Sequence, residues 1–143
     1  MLIGEYEHKM DSKRRLPLPA RLRSQLGLKV VITRGLEGCL FVYSVGGWEE
    51  FSAKLRALPM SQATSRSFVR LVFSGAVEVE LDNLGRVLIP DYLKEHAELS
   101  KNVVVIGTGE RLEIWDQERW KAYHVRQQRE MEANAETLKE FGI

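Results

Sequence analysis

Two segments about half a chain apart repeat one pattern, and that repeat constrains the fold of these 143 residues more than any other feature. Asp11-Ser12-Lys13-Arg14-Arg15-Leu16-Pro17-Leu18-Pro19 aligns with Asp82-Asn83-Leu84-Gly85-Arg86-Val87-Leu88-Ile89-Pro90. The shared skeleton is Asp, three residues, Arg, three mostly apolar residues, Pro. The register continues, with Leu22 on Leu93 and Leu28 on Leu99 at the same offset. After a one-residue shift Phe41-Val42-Tyr43 falls on Glu113-Ile114-Trp115, and Trp48 on Trp120. So many matches in one order indicate a duplicated module. The expected organisation is a first module over 1–58, a helical connector over 59–75, a second module over 76–124 and a helical tail over 125–143.

Each module has the same local grammar. The stretch before each Asp alternates, as in Val77-Glu78-Val79-Glu80-Leu81, which is the period of a half-buried strand. A turn follows, then a short apolar strand that runs to Pro19 or Pro90, where proline's fixed φ suits the first helical position. Short helices are expected over 21–26, stopped by Gly27, and over 92–97. A hairpin comes next in each module: 30–33 with 39–43, and 103–106 with 112–115, with Gly35 and Gly38 in the first turn and Gly107 and Gly109 in the second. Trp48, Phe51, Leu55 and Leu58 recur at helical spacing up to Pro59. A further helix is expected over 61–73, ended by Gly75, and the stretch 118–141 is helical by composition. The three tryptophans, at strand or helix periodicity, read as core.

Charge is unevenly divided. Residues 1–71 carry 12 Lys and Arg against 6 Asp and Glu, whereas residues 72–143 carry 9 against 14. Six of the cations fall between Lys9 and Arg23, a density that suits phosphate but also an ordinary solvated face. No apolar run approaches the ~20 residues that cross a bilayer, and Met1 to Arg15 has charges where a signal peptide would be apolar. A cytoplasmic protein is expected. The lone Cys39 excludes an internal disulfide and a multi-cysteine zinc site, and its apolar neighbours suggest a buried thiol.

The residues between Asp and Arg sit at the tip between two strands, and an exposed tip can enter a groove. Arginine suits such a tip, because its planar guanidinium can bind a phosphate or the O6/N7 edge of guanine with two parallel hydrogen bonds. Arg15 and Arg86 lead the candidates for nucleic-acid contact, with Lys13, Arg14, Asn83 and Gly85 beside them. Asp11 and Asp82 would be odd on a phosphate surface unless they accept from the turn backbone or hold the arginine's direction, so they are assigned orientation. A bare structural ion pair, worth about 0–1 kcal/mol, is the plainer alternative. Two copies in matching register, beside a basic run, favour nucleic acid.

The pattern Leu/Met-Asp-x-x-Gly-Arg-Leu-x-Ile-Pro, carried twice in a chain of this length, resembles the MraZ family of transcriptional regulators. The resemblance spans most of the chain, including Trp115 and Trp120. It implies an α+β fold of two tandem swapped-hairpin AbrB-like β-barrel modules with short packing helices, assembled as a ring. It also implies sequence-specific binding of short direct repeats, in double-stranded promoter DNA of a bacterial cell-division and cell-wall gene cluster, through the Asp-to-Arg loops. A homo-oligomer, nucleoid-associated in the cytoplasm, with no catalytic residue, cofactor, metal or membrane partner, completes the expectation. One departure stands out: the family has Gly before the first Arg, and here the residue is Arg14. Glycine reaches positive φ without strain, so whether the first loop matches the second is left open by the sequence.

An enzyme is poorly supported. His8, His96 and His124 lie in unrelated contexts, Ser44 and Ser74 lack a nucleophile-elbow setting, and Gly107-Thr108-Gly109-Glu110 completes no nucleotide motif and reads as a hairpin turn. The remaining alternative is an oligomeric scaffold whose loops bind an acidic protein surface.

Overall fold

The computed structural model describes all 143 residues. Strand β1 (Leu2–Lys9) leads into the first Asp-to-Arg loop, followed by β2 (Arg15–Pro17), a 3-10 turn (Ala20–Leu22) and α1 (Arg23–Leu26). A hairpin of β3 (Lys29–Arg34) and β4 (Leu40–Ser44) follows, then α2 (Val45–Arg56) and α3 (Ala63–Gly75). The second half repeats the series with β5 (Val77–Glu80), β6 (Arg86–Leu88), α4 (Asp91–His96), β7 (Asn102–Gly109), β8 (Leu112–Asp116) and α5 (Gln117–Lys139). No helix is long and apolar enough to cross a membrane.

The two halves are interwoven. One antiparallel sheet runs β1-β7-β8-β4-β3-β5, an order that reads the same from either end once the repeats are exchanged. The leading strand of each repeat therefore pairs with the hairpin of the other: β1 with β7 from Leu2↔Gly109 to Lys9↔Asn102, and β5 with β3 from Val77↔Ile32 to Glu80↔Lys29. The post-loop strands β2 and β6 pair with each other in a separate two-stranded ribbon, Leu16 opposite Val87.

Alternation explains the core. Val30, Ile32, Leu40, Val42, Val103, Val105, Leu112 and Ile114 point to one face of the sheet. There they meet Leu16 and Val87 from the ribbon, Leu18 and Ile89 just after its strands, and Leu22, Leu26 and Leu93 from the short helical segments, forming one cluster of 19 buried side chains. Phe41, Tyr43, Val104, Ile106 and Trp115 point the other way. Trp48 and Phe51 of α2 and Trp120 and Tyr123 of α5 pack over them, so of the three tryptophans Trp115 is core and Trp48 and Trp120 form its partly buried cover. Cys39 is fully enclosed on this face, and burial pushes its thiol far above the ordinary range, which leaves it inert.

Several boundaries shift for physical reasons. Pro19 and Pro90 stand one residue before the first helical position, as N-caps with extended ψ. Leu58 lies beyond α2, which ends at Arg56, while α3 starts at Ala63 and takes Gly75 as its last residue. The larger correction concerns Gly107 and Gly109. They are not in the β7–β8 turn; both belong to β7. Gly107 faces Gly4 on one side and Leu112 on the other, and a Cβ there would meet the backbone of Leu2 and Ile3 at 2.5 Å. It is small so that the edge strand can approach, not so that the chain can turn. Gly107→Ala should push β1 off the sheet and cost about 1–3 kcal/mol, read as a lower urea midpoint with faster amide exchange confined to β1.

Two histidines give the fold a pH dependence. The Nε2 atoms of His8 and His96 are buried without a hydrogen-bond partner. Burial holds both imidazoles below the ordinary histidine range, helped by Arg23 at His8 and by Arg34 and Arg119 at His96, against a backbone hydrogen bond at Gly35. As pH falls, the unfolded chain takes up these protons first. Stability is therefore complete above the ordinary histidine pKa of ~6.5 and declines below it. The urea midpoint should be lower at about pH 5.5 than at about pH 7.5, and replacing both histidines by Gln should flatten the difference.

Candidate nucleic-acid interface

The two loops have the same internal wiring. In the first, Asp11 Oδ1 accepts from the backbone N–H of Lys13 and of Arg15, each at 2.9 Å, and Oδ2 accepts from Arg15 Nε at 2.7 Å. In the second, Asp82 Oδ1 accepts from the N–H of Leu84 and of Arg86 at 2.9 Å, and Oδ2 accepts from Arg86 Nε at 2.7 Å. Backbone bonds close both turns, Arg14 N–H to Asp11 C=O and Gly85 N–H to Asp82 C=O. The backbone N–H of Arg15 does most to hold the Asp11 carboxyl below the ordinary carboxylate range, and that of Arg86 does the same for Asp82. Each aspartate thus bonds its turn backbone and its arginine. With Nε taken, each guanidinium has its two terminal nitrogens left for a ligand.

Arg14 adopts φ +62°, in the same left-handed region as Gly85 at φ +76°. The first loop therefore keeps the second loop's shape despite lacking glycine, at a cost of roughly 1–2 kcal/mol. Its side chain offsets part of that, because Arg14 Nε donates to the Ile89 carbonyl at 2.9 Å and lies 3.4 Å from Asp91 Oδ1. Gly85 has no side chain to do this. Across the ribbon the equivalent carbonyl, Leu18, accepts instead from Arg23 Nε at 3.1 Å, and the Arg23 guanidinium fills the space a Cβ on Gly85 would need.

The ribbon brings the loops side by side. The Ile89 N–H bonds the Arg14 carbonyl and the Leu18 N–H bonds the Gly85 carbonyl, so each loop is tied to the segment that follows the other. Arg86 Nη1 lies 3.8 Å from Asp11 Oδ2, and Arg86 is the more enclosed of the pair, its side chain 25% exposed against 39% for Arg15. Outward on the ribbon, Arg15 stands opposite Leu88 and Arg86 opposite Pro17. Lys13 and Asn83 are exposed on the tips, and Leu84 projects into solvent at 65% exposure. Five of the six candidate contact residues and both aspartates thus lie on one surface; Gly85 is buried beneath Arg23, with its N–H on the Asp82 carbonyl and its carbonyl on the Leu18 N–H, so its role is to shape the loop.

Sequence reasoning passed over Arg23, although Lys94 occupies the same offset in the second repeat and the recurrence of a cation there was available as a signal. No three His, Cys, Asp or Glu side chains are placed to hold a metal ion.

Comparison with known proteins matches the duplication. A family model described as "MraZ protein, putative antitoxin-like" matches residues 1–71 and again residues 72–141. The transcriptional regulator MraZ of Moorella thermoacetica is 51% identical over 143 residues, covering all of both chains. Its namesakes from Heliobacterium modesticaldum and Caldanaerobacter subterraneus subsp. tengcongensis are 50% and 46% identical, also over the full length of both chains. The chain belongs to the MraZ family, whose members here carry the names of regulators and not of enzymes.

Proposed function

We propose that this chain is a non-enzymatic regulator of transcription that binds double-stranded DNA through the paired loops. The observation that carries the reading is the convergence of two identically wired loops, each with an Asp-held arginine, on a two-stranded ribbon. A ribbon of this kind fits the major groove, and an arginine whose Nε is already occupied can offer its terminal nitrogens to guanine O6 and N7. Arg15 and Arg86 read bases, Lys13 and Asn83 reach from the tips, Arg14 adds charge at the loop edge, and Gly85, buried with both backbone groups bonded, lets the second loop turn. Asp11 and Asp82 orient. The names of the relatives, as regulators of transcription, support the role in transcription.

The finer picture follows from the family resemblance. The exchange of β1 and β5 between repeats is read as the swapped-hairpin arrangement of AbrB-like modules, and the chain as a subunit of a ring. A ring turns weak single-loop contacts into firm binding through effective concentration. Its operators are then short direct repeats spaced roughly one helical turn, ~10 bp, in the promoter of a division and cell-wall gene cluster.

Fluorescence anisotropy of the protein with its own upstream promoter DNA and with scrambled DNA, at two salt concentrations, tests the reading. Tight, sequence-selective, salt-sensitive binding supports it. Equal and weak binding to both DNAs would overturn it and move an acidic protein partner into first place.

A further inference from the structure

Beside each loop lies a cleft, and the two clefts occupy equivalent places in the repeats. Met10, Asp11, Ser12, Lys94, Ser100 and Lys101 line the first. Leu28, Lys29, Glu80, Leu81, Asp82 and Asn83 line the second. The correspondence is set by backbone bonds: Met10 N–H to the Lys101 carbonyl in one, Leu81 N–H to the Leu28 carbonyl in the other. Their chemistry has diverged. Where the first has Lys101, the second has Leu28, so the match of Leu28 to Leu99 expected from the sequence offset does not hold: Leu28 is 85% exposed and Leu99 buried. Lys29, the one cation of the second cleft, sits 3.5 Å from Glu78, with Glu80 on the same rim.

The position equivalent to Lys94 is Arg23, and Arg23 is committed to the Leu18 carbonyl beneath Gly85. In the first loop Arg14 performs that task from within, on the Ile89 carbonyl, so Lys94 has no such duty. The one acid of the first cleft, Asp11, is already satisfied by two backbone N–H groups and the Arg15 guanidinium, with Arg86 close by. The Ser100 hydroxyl donates to Asp116, which leaves the Ser12 hydroxyl beside the two lysines. Substituting arginine for glycine at position 14 therefore does more than add a charge to the loop. It leaves a lysine from the acidic half of the chain next to the basic loop.

We propose that the first cleft is a binding site for a phosphate of the DNA backbone, with Lys94 and Lys101 as its cations and Ser12 as a donor. It rests on the DNA-binding reading above and extends it: the second half, acidic as a whole, lends its cations to the first loop, while the second cleft binds no phosphate. Phosphate contacts fix position and carry no sequence information, so this site sets how the first loop is seated while Arg15 reads the base.

The test is the slope of log affinity against log salt for the full-length protein on promoter and on scrambled DNA. Lys94→Gln and Lys101→Gln should each make the slope shallower by about 0.9 and weaken both DNAs alike, by about 3- to 10-fold, leaving the ratio between them unchanged. Lys29→Gln, in the second cleft, and Lys54→Gln, on α2, remove the same charge and should leave the slope as it is. Variants at 94 and 101 that keep the wild-type slope, or change it no more than Lys29→Gln does, overturn the cleft and leave the DNA reading standing. A wild-type protein with no salt-dependent DNA binding overturns both.

Discussion

Arg15→Ala is expected to weaken promoter binding by about 10- to 100-fold, the loss of one bidentate base contact, and Arg86→Ala to weaken it by clearly less. Both arginines are held by an aspartate at 2.7 Å, so neither difference in wiring nor difference in residue type distinguishes them. Their surroundings do. Arg86 also lies 3.8 Å from the carboxylate of Asp11 and is the more enclosed, so part of its charge is already answered within the protein. Lys13 stands on the tip beside Arg15, whereas the tip beside Arg86 carries Leu84. Lysine should not rescue position 15, because an ammonium cannot bond Asp11 through one nitrogen while presenting two parallel donors outward. Thermal melts should change little, since the pair is partly exposed and worth about 0–1 kcal/mol. Equal losses at 15 and 86 in the anisotropy assay would overturn the ranking.

A fragment of residues 1–71 is expected to form no folded monomer. Alone it keeps the β3–β4 hairpin but loses β7 from β1, β5 from β3 and β6 from β2. The main core is divided as well, because ten of its 19 side chains come from this half and nine from the other. A piece of this size is marginal even with an intact core, so losing half of it removes the full ~5–15 kcal/mol of a typical domain. The repeat offers one escape: β1 of one copy can pair with β3 of a second, as β5 does in the whole chain. Circular dichroism with sedimentation should thus find the fragment either unfolded or a folded dimer, with its structure dependent on concentration. A folded monomer would mean that β1 can pair within its own half.

The duplicated grammar, both hairpins, the Asp-centred turns and the order of helices were legible because each depends on neighbours in sequence. Alternation in Val77–Leu81 announced a strand with one buried face. It could not say which hairpin would receive that strand, since either repeat offers the same apolar pattern. The exchange is a tertiary choice. Gly107 misled for a related reason: glycine marks a turn and a close approach alike, and only the strand lying over it separates the two. The loop residues were readable from their types and spacing. For Arg23 and Lys94 the sequence offered only the recurrence of a cation at one offset, and for Lys101 nothing, because which carbonyl or cleft each reaches is set across the ribbon.

Joining two like modules in one chain changes what evolution can do with their loops. Two identical separate modules related by a two-fold axis must alter both loops together, and such a reader recognises a site that is the same in both directions. Here the axis survives in the strand order, yet position 14 and position 85 are free to differ, and do. The surface has acquired a head and a tail: a cationic tip with a lysine-lined cleft at one end, an apolar tip with an acid-rimmed cleft at the other. On the DNA-binding reading proposed above, a surface with a head and a tail would tell a DNA sequence from its own reverse complement.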